Sequence, residues 1–213
     1  MILRFNQYIS EEVSKNDPIP EIQRIDKLGI ILLGTPGIGK STFIKNFISP
    51  KRGDIKVFST DDVSLTMTKS PDVYYPKASE LNLDRLLTFI ESGKPFIYDT
   101  TGTNLQNIER IWRESKSNDF TTIFIHLIGR KEQAQIGNIS RIRKVPKDYL
   151  DSSFNKQLDN MKVYLGWNPD AYYLVSRDEF GYGWWKIENN QVLKRNEIGG
   201  WDKSSFDDLS VYF

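Results

Sequence analysis

Gly29-Ile30-Ile31-Leu32-Leu33-Gly34-Thr35-Pro36-Gly37-Ile38-Gly39-Lys40-Ser41-Thr42 is the stretch that decides the fold. Its first five residues are a continuous apolar run, the mark of a strand buried on both faces of a parallel sheet. Gly34 to Ser41 then fit the pattern G-x-x-x-x-G-K-[ST] without departure. Chance produces such a match in on the order of one chain in a hundred of this length. The context agrees, because Ser41 to Ile48 continue as an amphipathic helix. Gly34, Gly37 and Gly39 let the backbone wrap closely around phosphate oxygens, at a helix start whose dipole favours anions. Residues Gly34, Thr35, Pro36, Gly37, Ile38, Gly39, Lys40, Ser41 and Thr42 are therefore the expected cradle of a nucleoside triphosphate such as ATP. Lys40 places its charge between the β- and γ-phosphates, and the Ser41 hydroxyl is the expected Mg2+ ligand.

Outward from this stretch the chain alternates. Asp54 to Ser59, Pro95 to Tyr98 and Thr121 to Ile128 read as further strands. Helical patterns fall over 40–48, 79–92, 104–117, 131–142 and 147–165, the second striped by Leu81, Leu83, Leu86, Leu87 and Ile90. Alternation of this kind predicts right-handed crossovers and an α/β fold with a doubly wound, mainly parallel sheet. Residues 1–28 read as an N-terminal arm, interrupted at Pro18 and Pro20, and residues 29–165 as the nucleotide-binding domain. Residues 166–213 read as a small C-terminal β extension. It is crowded by Tyr172, Tyr173, Phe180, Tyr182, Trp184 and Trp185, with Asn189-Asn190 as a hairpin turn. These aromatics are expected to form a small core sooner than a platform for stacked bases.

Composition narrows the chemistry. The 213 residues include no cysteine and one histidine, His126, so disulfide scaffolds, thiolate zinc sites and cysteine nucleophiles are excluded. A Ser-His-Asp triad is disfavoured too, and His126, inside an apolar strand, reads as a satisfied buried residue. Lys and Arg (29) nearly balance Asp and Glu (28), so an anionic partner must be held by a local patch. No apolar run approaches the ~20 residues of a membrane span, and the first residues lack a secretion signal. The expectation is a cytoplasmic protein with no membrane partner.

In open α/β sheets, ligands sit beyond the carboxyl ends of the strands. Three groups fall there. Asp61 and Asp62 follow the second strand, where a carboxylate accepts a proton from an incoming hydroxyl or holds metal through water. Asp99 closes the third strand and suits a metal-binding position. Arg130, Lys131, Arg141, Arg143, Lys144 and Lys147 follow the fourth, with Glu132 the only acid from 130 to 147. Arginines there would clamp a transferring phosphoryl group as charge develops.

With these residues the chain resembles the phage-type 5′-polynucleotide kinases, a family of P-loop kinases, over roughly residues 29–165. The glycine loop matches, and Asp61 stands where the family keeps its general base. Asp99 with Thr101 and Asn104 resembles the family's D-x-T-N-like motif on the acceptor side. Asn138, Arg141 and Val145-Pro146 resemble its helical lid, whose arginine contacts the nucleotide phosphates. The resemblance implies ATP and Mg2+ (on Ser41 and Asp99), with a single-stranded nucleic acid end as acceptor. Asp61, Lys40 and Arg141 would be catalytic, and Asp61, Asp62, Asp99, Thr101, Asn104 and Arg143 would hold the acceptor. One departure stands out: the family's acceptor-phosphate arginine, three residues after the base, is Ser64 here. That grip passes to Lys69, Lys77 or Arg143, or the acceptor lacks the phosphate.

Other acceptors share the same machinery. A zeta-toxin-like kinase phosphorylates a nucleotide sugar, and other relatives act on a nucleoside or on a hydroxyl of a modified base in DNA. A GTPase is a weaker fit. Asp99-Thr100-Thr101-Gly102 spells D-x-x-G, but the guanine-reading motif is approached only by Asn155 to Asp159, within a helical stretch. A nucleotide switch presenting its aromatic sheet to a partner is the non-catalytic alternative, against which Lys40, Ser41 and Asp61 argue. Met1 to Glu11, ending in Ile9-Ser10-Glu11, looks like the short leader of some tailed-phage proteins that a capsid protease trims. The plainer reading there is an amphipathic helix packed on the core.

Overall fold

The computed structural model describes residues 19–67, 75–141, 144–177, 181–188 and 191–199. Seven strands form one sheet: β1 (Leu28–Leu33), β2 (Lys56–Ser59), β3 (Phe96–Thr100), β4 (Thr121–Ile128), β5 (Ala171–Arg177), β6 (Gly181–Glu188) and β7 (Gln191–Gly199). Their order is β2-β3-β1-β4-β5-β6-β7. Pairings are parallel from β2 through β5 and antiparallel from β5 to β7. The expected doubly wound, mainly parallel sheet is thus present. Ala171–Arg177, read from sequence as a short strand of the aromatic extension, lies parallel to β4 as the fifth parallel strand.

Both faces of the sheet are covered, which explains why β1 is apolar throughout and β4 is apolar apart from Thr121, Thr122 and His126. Ile30 and Leu32 of β1, with Ile123, Ile125 and Leu127 of β4, face one core. Ile31, Leu33, Phe124 and Ile128 face the other. The first core is closed by α1 (Lys40–Phe43), which continues as a π-helical turn over Ile44–Ile48, and by Ala134 of α5 (Lys131–Ile139). Ile19 and Ile22, from the segment expected to be an arm, are buried in that core. The second is closed by α3 (Tyr75–Ile90), α4 (Leu105–Ser117) and α6 (Lys147–Gly166).

Two local differences from the sequence reading have physical causes. Residues 44–48 wind as a π-turn instead of an α-helix. The wider winding keeps Phe43, Ile44, Phe47 and Ile48 all buried, with the Phe43 and Phe47 rings stacked at 5.0 Å. Thr60–Met67, which follows the second strand and lies outside the helical patterns read from the sequence, forms a helix, α2. Its TDDVSLTM has too little apolar pattern to announce itself, but Asp61 and Asp62 occupy the first turn, where the helix dipole favours carboxylates.

Tyr172, Tyr173, Trp184 and Trp185 are buried as expected of a core. The Phe180 and Tyr182 side chains, the Asn189-Asn190 turn and the expected leader over Met1 to Glu11 lie outside the described residues. Among the described residues no helix is long and apolar enough to cross a membrane.

Candidate active site

The loop between β1 and α1 sits at the carboxyl end of the central strand. Gly37 (φ 84°) and Gly39 (φ 104°) hold backbone conformations that a side chain would strain. Gly39 caps α1 without any side-chain cap bond. Lys40 Nζ donates to the Gly34 carbonyl at 2.6 Å and lies 3.6 Å from Asp99 Oδ1, at the end of β3. Burial disfavours both charges: it lowers the Lys40 ammonium and raises the Asp99 carboxyl, each effect partly offset by the other group.

Asp61 enters from the first turn of α2. Arg141, just past the C-terminus of α5, donates from Nη2 to Asp61 Oδ2. The charges of Asp99, Arg141 and Asp61 all act on Lys40. Four residues from four parts of the chain therefore converge: Lys40, Asp99, Asp61 and Arg141. A side-chain clasp presents the arginine. Asn138 donates to the Val145 carbonyl (2.8 Å) and accepts from the Val145 N–H (3.0 Å), closing the loop in which Arg141 sits.

The other expected residues make contacts of their own, lie exposed beside this group, or are set apart from it. Asp62 turns away from Asp61 into a cleft of 640 Å³ between β2, α2 and α3, lined also by Lys56, Phe58, Asn82 and Arg85. Its carboxyl is raised by desolvation and by the neighbouring Asp61 charge. Thr101 Oγ1 pairs with Thr103 Oγ1 at 2.9 Å. Asn104 caps α4, its side-chain oxygen accepting from the Asn107 N–H at 3.1 Å. Ser64 is buried within α2, and Lys77 is exposed on α3. Ser41 and Thr42 are exposed at the start of α1. Arg143 and Lys69 lie outside the described residues. Asn155 to Asp159, the approach to a guanine-reading motif, runs through the middle of α6.

Helix α6 supplies contacts that sequence reasoning missed. Gln157 Nε2 donates to Thr35 Oγ1 at 2.6 Å. Asn160 Nδ2 (3.0 Å) and Tyr164 Oη (2.6 Å) both donate to the Gly102 carbonyl, in the loop that follows Asp99. The available signal was polar residues on the buried stripe of a helix: Ser153, Gln157 and Asn160 share it with Leu150, Met161 and Tyr164.

The donor set suits a polyphosphate: an uncapped helix start, glycine backbone at positive φ, and a lysine at the loop's floor. Asp99 with the Ser41 hydroxyl suits Mg2+, which takes one or two carboxylates and leaves its other positions to phosphate and water.

No model of a known protein family and no curated protein matches the chain. Solved structures do. One comes from the PezAT chromosomal toxin-antitoxin system of Streptococcus pneumoniae, at 14% identity and TM-score 0.60, covering 97% of this chain and 93% of that one. Another is AvrRxo1-ORF1:-ORF2 with ATP, at 13% and 0.61, covering 88% and 68%. A third is the Pnkp1/Rnl/Hen1 RNA repair complex, at 18% and 0.52, covering 66% and 47%. At these identities the likeness is one of fold alone, that of an α/β chain with a mainly parallel sheet.

Proposed function

We propose that the chain is an ATP- and Mg2+-dependent kinase that transfers the γ-phosphate to a hydroxyl of a nucleic acid, at a 5′ end. The observation that carries this reading is the convergence of Asp61 and Arg141 on Lys40 and Asp99 beside the glycine loop. Backbone N–H groups of the glycine loop and of the first turn of α1, Pro36 having none to give, hold the triphosphate, and Lys40 meets its charge. Mg2+, held through Ser41 and Asp99, would neutralise charge on the phosphate oxygens. The acceptor oxygen bonds to the γ-phosphorus as the bond to ADP breaks, and Asp61 takes the hydroxyl proton. Arg141 leaves Asp61 for the phosphates, which frees the carboxylate and matches the charge in flight. Such chemistry needs position and electrostatics, which explains how it proceeds without cysteine.

A second reading places a smaller alcohol, a nucleoside or nucleotide sugar, in the cleft beside Asp62. Its 640 Å³ falls within the range of small-ligand sites. The burial of Tyr172, Tyr173, Trp184 and Trp185 removes four rings from any base-stacking surface. The likeness to the toxin-antitoxin structure also spans nearly the whole chain, whereas that to the RNA repair complex spans two thirds.

Labelled γ-phosphate transfer tests both. The panel is 5′-hydroxyl oligonucleotides, nucleosides, UDP-sugars and DNA with hydroxymethylated bases. Strong labelling of the oligonucleotides alone is expected, weakening as salt rises. Labelling of the small acceptors, independent of salt, supports the second reading. Lys40→Ala should abolish transfer while the protein stays folded. Asp61→Asn should keep ATP binding and lose ~10²–10⁴ in rate. If Asp62→Asn is instead the dead variant, the base has been assigned to the wrong carboxylate.

A further inference from the structure

Four buried side chains connect the fifth strand to the phosphate loop. Tyr172 Oη lies 2.8 Å from His126 Nδ1, His126 Nε2 lies 3.1 Å from Gln157 Oε1, and Gln157 Nε2 lies 2.6 Å from Thr35 Oγ1. None of the four is more than 1% exposed. The direction of every bond follows from the chemistry of the groups. An amide nitrogen only donates, so Thr35 accepts; an amide oxygen only accepts, so His126 carries its proton on Nε2. Nδ1 is then the acceptor, and the Tyr172 hydroxyl donates to it.

The chain of bonds ends at a telling place. Thr35 sits directly after Gly34, whose carbonyl takes the Lys40 ammonium, and its own carbonyl accepts the Ile38 N–H at 3.2 Å. Fixing the Thr35 hydroxyl therefore fixes the turn on which the lysine and the loop amides depend. The same helix fixes the neighbouring loop through Asn160, Tyr164 and the Gly102 carbonyl.

We propose that Tyr172, His126 and Gln157 are positioning residues of the nucleotide site, shaping the phosphate loop in advance through the Thr35 hydroxyl. They touch no reacting atom. They act by holding a flexible, glycine-rich backbone in the one arrangement that receives a triphosphate, so that binding does not have to order it. The proposal rests on the reading of residues 34–42 as a nucleotide cradle.

The test is a double-mutant cycle on the full chain, read as the Kd of Mg-ATP by titration calorimetry. Thr35→Val keeps the branched shape and removes the acceptor, and should weaken binding about three- to tenfold. Thr35→Ser, which restores the hydroxyl, should recover it. Tyr172→Phe deletes the far end of the relay without touching the loop. It should weaken binding about two- to threefold alone and add nothing in the Thr35→Val background. Should Tyr172→Phe fail to fold, Gln157→Met takes its place with the same expectations. A merely structural network would lower the melting temperature and leave Kd unchanged; unchanged Kd in the single variants overturns the relay. Additive losses in the double variant overturn it as well. A wild-type chain that binds no Mg-ATP overturns the nucleotide reading instead, so the two failures are distinguishable.

Discussion

His126 shows how much one buried ring demands of its surroundings. It is fully buried, and both nitrogens are engaged, by Tyr172 and Gln157. Burial lowers its pKa to about 4, with the Lys40 charge acting in the same direction and the Gln157 bond opposing. The unfolded chain, with an ordinary imidazole near 6.5, takes up a proton at higher pH than the folded one does. As pH falls from about 6.5 to about 4, the unfolded state alone gains that proton and stability is lost, by roughly 3 kcal/mol over the window. Urea unfolding at pH 7 and 4.5, compared with His126→Gln, isolates this from carboxylate titration. Identical pH dependence in the two proteins would contradict it. The adjacent acids Asp61 and Asp62 mark a limit of sequence reading at this scale. Both stand after a strand, and only the family resemblance, not their composition or spacing, separates them. The ~100° that a helix turns per residue does, sending Asp61 to Arg141 and Asp62 to the cleft.

At the scale of elements, the contact that shapes the candidate site is that of α5 on the glycine loop. A Cβ placed on Gly137 would collide with the Gly37 carbonyl oxygen, and one placed on Gly37 would collide with the Ala134 carbonyl. The two backbones meet where no side chain fits. Gly137→Ala should therefore set two effects against each other. Alanine favours the helix by about 1 kcal/mol over glycine, while forcing an extra methyl into a packed contact costs about 1–3 kcal/mol. The obstacle is backbone, which yields little, so the net change should be a loss of about 1–2 kcal/mol. It should appear as a lower urea midpoint at unchanged slope. A variant more stable than wild type would show that α5 does not rest on the loop in solution. Strands were the legible elements because β1 and β4 are buried on both faces and carry their apolar runs openly. Helix α2 was not, since its eight residues carry little apolar pattern and bury only Val63 and Ser64.

For the whole molecule, the sheet order brings distant segments together. β1 delivers the glycine loop, and β3, its neighbour, carries Asp99 near its end. β2 lies on the far side of β3 and leads into Asp61, while β4 leads through α5 to Arg141. Each residue of this set is legible in the sequence, because charged side chains at or beyond the carboxyl ends of apolar strands stand out by their chemistry. The Gln157 and Asn160 anchors stayed hidden, because their partners are a threonine hydroxyl and a carbonyl 122 and 58 residues away. A site assembled from so many segments exists only in the folded chain, so its ligand must stabilise folding. At a hundred times its Kd, Mg-ATP should add about 2.7 kcal/mol. In a domain of this size each kcal/mol moves the melting temperature about 2–4 °C, so a rise of about 5–11 °C is expected. Lys40→Ala, lacking the charge at the loop's floor, should show a much smaller rise at the same nucleotide concentration. Scanning calorimetry with and without Mg-ATP measures both, and an equal rise in the two proteins would mean that the nucleotide binds somewhere other than the glycine loop.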